Sequence, residues 1–207
     1  MDLRGYTLGG LLLSLQRGRY RMSHNFITTY TGKQINPLDP DPAMIDIVDI
    51  AHHLACLNRF CGALERPYSV AEHSVRVSCL LSGRNALAGL LHDASEAYLS
   101  DLSTPIKHSS GMGAYRDAEA RLQAAIYERF GVGDFDHEAV RWADEAMLHA
   151  EAWTLFRKRP AWAEYKKARL ASRCKVGDPM HWIAAKASFL ARFNALQASA
   201  KQLAEKN

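Results

Sequence analysis

Residues 85–99 read NALAGLLHDASEAYL, and the interpretation of the fold depends on this stretch. Its first half is apolar on every side, which is typical of a helix at the centre of a helical domain. His92 and Asp93 follow two leucines directly, so the pattern predicts ionisable side chains inside the most apolar helix of the chain. Because a buried charge is costly unless it is paired or bound to a metal, this segment is the first candidate for a functional site.

The segments on either side also have helical patterns with start or stop signals. Residues 46–54 carry one apolar stripe at helical spacing. Ser69 and Glu72 form a capping box for a helix that is expected to run to about residue 81 and to stop at Gly83. Three later helices are predicted: residues 115–130, a helix from Asp136 toward Arg159, and a last helix capped at Asp178 with Ile183, Ala187 and Leu190 on one face.

These patterns predict an all-α protein, one compact domain of about seven helices with a small N-terminal β-hairpin. The hairpin is expected in residues 26–37, where β-branched and aromatic residues are interrupted at Gly32. No glycine-rich phosphate loop and no alternation of strands with helices is present, which disfavours a doubly wound nucleotide fold. Residues 1–21 are arginine-rich and are interpreted as an extension upstream of a start at Met22, or as a flexible arm; residues 22–207 are the domain.

Composition limits the function only broadly. The 207 residues carry a formal net charge of +4 and are 48% hydrophobic, an ordinary balance for a globular domain. Four cysteines without a C-x-x-C pair, and no apolar run near the ~20 residues that span a bilayer, favour buried, reduced thiols in a cytoplasmic protein. Residues 157–175 are strongly basic, with Trp162 and Tyr165 interleaved. This run is interpreted as a solvated face, with steering of phosphate substrates or contact with nucleic acid as the alternatives.

Two further polar residues in apolar surroundings complete a candidate metal site. His73 lies in the first turn of the capped helix, and Asp144 lies in the middle of a later helix. With His92 and Asp93 they form a set of imidazoles and carboxylates that suits Mn²⁺, Fe²⁺, Co²⁺ or Zn²⁺ better than a structural thiolate site does. Glu96 follows His92 by four residues, which on a continuous helix places both on one face. A buried His–Asp hydrogen bond that only joins helices is the alternative.

This set of residues resembles the H…HD…D signature of HD-domain metal-dependent phosphohydrolases. The sequence HDASE at residues 92–96, followed by Asp101-Leu102 and by TPIK at residues 104–107, is similar to the HDxxE…DLxTPxK block of YfbR-like 5′-deoxynucleotidases. Residues 45–60 and 68–73 are similar to the YfdR-like bacterial and phage subgroup, which includes DatZ-like dATP triphosphohydrolases. The resemblance covers residues 26–155 and implies that the domain over residues 22–207 has the HD-type helical fold.

The resemblance also implies a role for each matching residue. It implies that the metal ligands are His73, His92, Asp93 and Asp144. It implies that Glu96 handles the proton of the attacking water or of the leaving oxygen with the help of Asp101, and that the substrate is bound by Arg59, Phe60 and Lys107. Phe60 stands where the nucleotidases have tryptophan, so selectivity for deoxyribose stays open. A solvated loop lysine for Lys107, and a helix-end cation for Arg59, are the alternatives.

The predicted function is divalent-metal-dependent hydrolysis of (deoxy)nucleotide phosphoesters, by a 5′-deoxynucleotidase or by a phosphohydrolase of dNTPs such as dATP. The expected cofactor is one Mn²⁺, Co²⁺, Zn²⁺ or Fe²⁺ ion, with additional Mg²⁺ or Co²⁺ for a triphosphate substrate. The alternative function is a nucleic-acid-binding or nucleotide-sensing protein with a structural metal site. The expected partner is the nucleotide; the pattern predicts no membrane contact, disfavours nucleic acid and leaves a homo-oligomer open.

Overall fold

The computed structural model describes residues 25–172 and 174–204. The predicted extension over residues 1–21 and the proposed start at Met22 lie outside them. The described chain is mostly helical, which confirms the all-α class, and it contains nine α-helices, three of them only four residues long. The helices are α1 (Ile47–Cys56), α2 (Val70–Leu80), α3 (Gly83–Leu91), α4 (Glu96–Leu99), α5 (Thr104–Lys107), α6 (Gly113–Phe130), α7 (His137–Leu155), α8 (Tyr165–Ala168) and α9 (Trp182–Ala204).

A two-stranded antiparallel hairpin precedes the helices, as predicted. Strand β1 (Ile27–Thr28) pairs with β2 (Gln34–Ile35), and Gly32 in the turn has a φ of 84°, which glycine adopts without strain. The carboxylate of Asp49 in α1 accepts hydrogen bonds from the Thr31 N–H at 2.6 Å and from the Thr31 hydroxyl at 2.9 Å. The hairpin is therefore fastened to the first helix rather than projecting freely.

Replacing Asp49 with alanine is expected to lower the free energy of unfolding by about 2 kcal/mol, because two hydrogen bonds to a buried charged acceptor are lost. Urea denaturation followed by circular dichroism measures the change. Asp39→Ala, in the exposed loop after the hairpin, is the matched control and should change stability by less than about 0.5 kcal/mol. Equal stability of the two variants would contradict the anchoring role of Asp49.

The helices pack around two apolar clusters. The larger cluster joins α1, α3, α6 and α9, and its fully buried side chains include Ile50, Leu90, Leu122 and Phe189. The smaller cluster joins α2 to α7 through Val77 and Met147. Helices α2, α3 and α7 contact one another directly. Because these three helices carry or flank the predicted metal ligands, the core fixes the spacing of the site.

The boundaries of α2, α3 and α7 differ from the predicted ones. Helix α2 ends at Leu80, and Gly83, predicted to terminate it, is the first residue of α3. Helix α7 ends at Leu155, short of the predicted end near Arg159. By contrast, Gly131 terminates α6 in the left-handed conformation, as predicted.

The last helix begins later than predicted and buries a different face. Asp178 does not cap it: its side chain is exposed and pairs with Arg66 at 3.2 Å. The buried carboxylate of Glu72 accepts the Met180 N–H at 2.7 Å and so ties the chain ahead of α9 to α2. The buried face is formed by Ala185, Phe189 and Phe193, whereas Ile183 and Ala187 of the predicted face are exposed.

Two predictions about compartment can be compared with the structure. Cys56, Cys61 and Cys79 are exposed, so the expectation that the cysteines are buried is wrong for these three. Among the helices of residues 25–172 and 174–204, none is long and apolar enough to cross a membrane.

Candidate functional site

The HDASE motif lies at a break between two helices, not inside one continuous helix as predicted. Helix α3 ends at Leu91, residues 92–95 form turns, and α4 begins at Glu96. Across the break, backbone hydrogen bonds span three residues instead of four, as in the bond from the Glu96 N–H to the Asp93 carbonyl. The predicted helical spacing of His92 and Glu96 therefore does not hold.

A glutamine from another helix fills this break. The side chain of Gln123 in α6 accepts the Ser95 N–H at 3.1 Å and donates to the Leu91 carbonyl at 2.6 Å. In a continuous helix the Ser95 N–H would donate to the Leu91 carbonyl. The side-chain amide of Gln123 therefore takes the place of one backbone hydrogen bond of the helix. The sequence pattern missed Gln123, because a glutamine on an amphipathic helix is ordinarily expected to face solvent.

The break brings His92 and Asp93 next to His73 of α2 and Asp144 of α7. The Nε2 of His92 lies 3.1 Å from Asp93 Oδ2 and 3.7 Å from Asp144 Oδ1. The Nε2 of His73 lies 3.0 Å from Asp144 Oδ1 and 3.8 Å from Asp93 Oδ2. The structure thus brings together all four residues that were predicted as metal ligands.

Both imidazoles are oriented by a hydrogen bond at the nitrogen that faces away from this cluster. The Nδ1 of His73 donates to the carboxylate of Glu151 at 2.6 Å, and the Nδ1 of His92 donates to the Gly89 carbonyl at 2.9 Å. When such an imidazole is neutral, its one N–H is at Nδ1 and its Nε2 carries a lone pair that can bind a metal. Neither Nε2, although buried, makes a hydrogen bond to a described residue.

This arrangement has the chemistry of a cation site. Lone pairs and carboxylates that face one another in a buried position need a positive charge among them. The ligand atoms of His73, His92 and Asp93 all lie within 4.8 Å of one another, and these three residues could hold a metal ion. The bond from His73 Nδ1 to a carboxylate is also the outer-shell contact that orients metal-binding histidines in other proteins.

Electrostatics within the cluster shifts its acids and bases in opposite directions. Burial alone would lower the pKa of both imidazoles, but the neighbouring carboxylates raise the pKa of His73 and of His92 above the usual value. Burial alone would raise the pKa of Asp93, but His92 lowers it to about 2. The pKa of Asp144 likewise lies well below its usual value because of the two histidines, despite burial. Both carboxylates are therefore ionised at neutral pH, and without a metal the protons held on the imidazoles balance their charge. A divalent cation bound between the imidazoles would take the place of these protons.

Glu151, which the sequence analysis missed, supports the cluster from behind. Its fully buried carboxylate accepts hydrogen bonds from His73 Nδ1, from the Tyr68 hydroxyl at 2.9 Å and from Arg59 Nε at 3.1 Å. Burial alone would raise the pKa of Glu151, but Arg59 and His73 lower it. Glu151 follows Asp144 by two helical turns on the same face of α7. Helix α7 thus contacts both nitrogens of the His73 ring. In the sequence, the spacing of Asp144 and Glu151 was the signal that could have pointed to Glu151.

Arg59 and Phe60 are presented by a turn with an unusual backbone. Phe60 and Cys61 have φ angles of 56° and 51°, in the left-handed region that costs non-glycine residues about 1–2 kcal/mol each. The Arg59 N–H donates to the Tyr68 carbonyl at 2.9 Å, which holds the turn against the start of α2. The guanidinium lies 3.8 Å from the Asp93 carboxylate, so Arg59 belongs to the charged cluster and is not simply a cation at a helix end. Strain of this kind persists where the surrounding structure fixes it, commonly at functional sites.

A cleft of about 530 Å³ contains Asp93 and Asp144 in its lining. The other residues that were predicted for catalysis or substrate binding also line it, namely Arg59, Phe60, Glu96, Asp101 and Lys107. Lys107 is not a solvated loop lysine, because its ammonium pairs with Glu119 at 2.6 Å. The structure therefore gathers every predicted site residue around one cavity and the cluster at its edge.

Glu96 is a buried acid in this lining. Its Oε2 has no hydrogen-bond partner among the described residues. Burial, together with the charges of Asp93 and Asp101, raises the pKa of Glu96 to about 9. Burial also raises the pKa of Asp101 above its usual value. Glu96 is therefore protonated at neutral pH in the absence of a metal and has a proton to donate.

Comparison with known proteins gives the family. No family model matches the chain. The chain is 43% identical over 111 residues to an uncharacterized protein of Rhodobacter capsulatus, a match that covers 49% of this chain and 56% of that protein. It is 36% identical over 129 residues to the uncharacterized protein YfdR of Escherichia coli, covering 61% of this chain and 70% of YfdR. The chain belongs to the YfdR family. Both relatives are called uncharacterized, so their names assign no activity.

Membership in the YfdR family confirms one part of the predicted resemblance. The similarity to YfdR-like proteins is borne out, whereas the wider assignment to HD-domain phosphohydrolases stays a prediction. The match spans little more than half of the Rhodobacter relative. The activity and partners of this YfdR-family protein are therefore argued from its own site.

The raised pKa of Glu96 predicts how the stability of the metal-free protein depends on pH. The folded protein keeps a proton on Glu96 that the unfolded chain releases above about pH 4.5, so stability falls as the pH rises from there to about 9. Glu96→Gln removes this titration. Its advantage in free energy of unfolding over the wild type should grow with pH, by at most about 1.4 kcal/mol per pH unit.

Urea denaturation with chelator present, at several pH values from about 6 to 9, measures this difference. Glu138→Gln, at the exposed start of α7, is the matched control and should follow the wild-type curve. Parallel curves for the wild type and Glu96→Gln would show that Glu96 titrates normally in the folded protein.

The basic run over residues 157–175 contains several residues that are engaged within the protein. Lys167 pairs with Glu145 at 2.7 Å and with Glu164 at 3.2 Å. The guanidinium of Arg159 lies 3.4 Å from the centre of the Trp153 ring. The ion pairs of Lys167 reduce the charge that is free to bind a phosphate backbone, and they favour the interpretation of the run as a solvated face.

Proposed function

We propose that this YfdR-family protein is a metal-dependent hydrolase of nucleotide phosphoesters, with deoxynucleotides among its substrates and a place among the HD-domain phosphohydrolases. The observation that carries the proposal is the pair of buried imidazole Nε2 atoms that face two ionised carboxylates, at 3.0 and 3.1 Å, at the edge of a cleft. The same cleft contains two cationic side chains and a protonated carboxylic acid. A metal, phosphate-binding cations and a proton donor are the parts that phosphoester hydrolysis requires.

The proposed metal ligands are His73, His92, Asp93 and Asp144. Two nitrogen and two carboxylate donors suit Mn²⁺, Co²⁺, Zn²⁺ or Fe²⁺. When bound, such an ion polarises a phosphoryl oxygen and increases the acidity of water. The chain's own contribution is to hold the four ligands in place, through Glu151 behind His73 and the Gly89 carbonyl behind His92.

Glu96 is the proposed proton carrier. A carboxylic acid that is still protonated at neutral pH can give its proton to the leaving oxygen of the substrate. Once ionised, it can take a proton from the attacking water. Asp101 lines the same cleft and raises the pKa of Glu96 by its charge, so it assists by keeping this proton available.

Arg59 and Lys107 are the proposed phosphate-binding residues. Each is oriented before substrate arrives, because Arg59 pairs with Glu151 and Lys107 pairs with Glu119. An arginine fork and a lysine point charge together offset the charge on phosphate oxygens. For Lys107 this requires that the phosphate compete with Glu119 or bind the remaining ammonium protons.

A panel of nucleotides tests the proposal. Purified protein is incubated with Mn²⁺, Co²⁺, Zn²⁺, Fe²⁺ or Mg²⁺ and with ribo- and deoxynucleoside mono-, di- and triphosphates, and the products are separated by chromatography. We expect release of phosphate, or of a polyphosphate, from at least the deoxynucleotides. His92→Ala should be inactive, while His137→Ala, an exposed histidine of α7, should match the wild type. No turnover with any metal, or equal turnover by both variants, would refute the proposal.

A further inference from the structure

A row of aromatic rings borders the cleft. Phe60 and Trp162 line the cavity, and the ring of Phe156 contacts both, with centroids 5.1 Å from Phe60 and 6.5 Å from Trp162. Leu148, one turn after the predicted ligand Asp144, lines the same cavity. The cleft therefore has an apolar wall that begins directly beside the metal-ligand cluster.

Trp162 is the exposed member of this wall, and its position is fixed. Trp162 is 48% exposed, which is a large share for an indole. Phosphate binding does not explain its place in the cleft, because the indole carries no charge. The buried ring of His149 contacts the indole edge-on at 5.9 Å, and His149 Nδ1 accepts the Glu164 N–H at 3.0 Å. The Ala163 N–H donates to the Pro160 carbonyl at 3.1 Å. The loop that carries the indole is thus held on both sides, which lowers the ordering cost of binding a ligand against it.

Building on the proposed function, we infer that Trp162 is the surface on which the base of the nucleotide stacks. A ligand that satisfies this cleft needs an anionic end for Arg59 and Lys107 and a flat apolar end for the aromatic wall. Nucleotides have both ends, whereas sugar phosphates and inorganic polyphosphates lack the second. The inferred substrate class is therefore phosphorylated nucleosides, selected through the base as well as the phosphate.

Stacking of a base on an aromatic side chain changes affinity by about 10-fold, and it tolerates different bases because each has a flat face. Trp162 should therefore favour nucleotides over sugar phosphates without choosing strongly among bases. Purines have the largest stacking area, so 2′-deoxyadenosine 5′-phosphate is the most sensitive probe.

The test compares this probe with 2-deoxyribose 5-phosphate, which lacks the base. Trp162→Ala is expected to raise KM for the nucleotide about 10-fold while KM for the sugar phosphate stays the same. Trp162→Phe, which keeps a flat ring, should recover most of the loss. Trp142→Ala is the matched control, because Trp142 is similarly exposed, at 40%, but is not among the residues that line the cleft.

The outcomes separate this inference from the proposed function. If nucleotides are hydrolysed but Trp162→Ala leaves KM unchanged, or raises it equally for both ligands, base stacking is overturned and hydrolysis stands. If neither ligand is turned over, calorimetric titration of the two ligands into wild type and Trp162→Ala decides the matter. A loss of affinity confined to the nucleotide then supports the base site and refutes only hydrolysis; no difference refutes stacking as well.

Discussion

Asp93→Asn is expected to reduce nucleotide hydrolysis by about 1,000-fold, since the metal contributes several kcal/mol of transition-state stabilisation. The substitution keeps the size of the side chain and removes its charge. Without that charge, the lone pairs of His73 and His92 face one carboxylate instead of two, and the affinity for a divalent cation falls with activity. Arg59, 3.8 Å from Asp93, also loses one of its acidic neighbours.

Calorimetric titration of Mn²⁺ or Co²⁺ into the chelator-treated protein measures the metal affinity, and product chromatography measures turnover. Asp117→Asn, an exposed aspartate on α6, is the matched control and should retain both. Wild-type metal affinity in Asp93→Asn would remove Asp93 from the metal site. Full activity with reduced metal affinity would show that hydrolysis does not depend on the metal that Asp93 helps to bind.

Glu151→Ala is expected to lower the free energy of unfolding by about 3–5 kcal/mol, the usual cost of removing one partner from a buried charge pair. It leaves the buried guanidinium of Arg59 without its nearest carboxylate and the Nδ1 of His73 without an acceptor. Because His73 is then free to rotate, affinity for the metal should also fall by about 10- to 100-fold. Glu151→Gln, which keeps the shape and one acceptor oxygen, should show smaller losses of both.

A second variant distinguishes positioning of the metal site from simple stability. Tyr68→Phe removes another donor to the same carboxylate but leaves the contact between Glu151 and His73 intact. It should therefore lower stability without changing metal affinity. If Tyr68→Phe and Glu151→Gln shift metal affinity equally, Glu151 acts only through the stability of the fold.

Together these variants distinguish the residues that supply charge to the candidate site from the residues that position its ligands. Asp93 and Asp144 contribute negative charge at the cluster, whereas Glu151 and Gln123 determine where the imidazoles and the HDASE turn lie. Replacing a residue of the first pair should lower metal affinity through the lost charge. Replacing a residue of the second pair should lower it through the misplaced ligands.

Much of the local structure could be predicted from sequence, because it depends on interactions between near neighbours. Ser69 caps α2 by accepting the Glu72 N–H, and Asp136 caps α7 by accepting the Ala139 N–H. Even there the prediction was partial: the capping box expects Glu72 to turn back to Ser69, but its carboxylate binds Arg76 and Met180 instead. The last helix was placed less well, since its start depends on that same contact with α2.

By itself, then, the sequence determined the helical class, the caps of α2 and α7, and the set of imidazoles, carboxylates and cations that could form one site. Tertiary structure decided where these groups point. The break at residues 92–95 depends on Gln123, distant along the chain, and the orientation of His73 depends on Glu151, further away still. Periodicity reports how a helix divides between core and solvent, but it carries no information about which distant polar group will satisfy a buried one. Of the eight histidines that the structure describes, burial and hydrogen bonding place His73 and His92 in the cluster of candidate metal ligands.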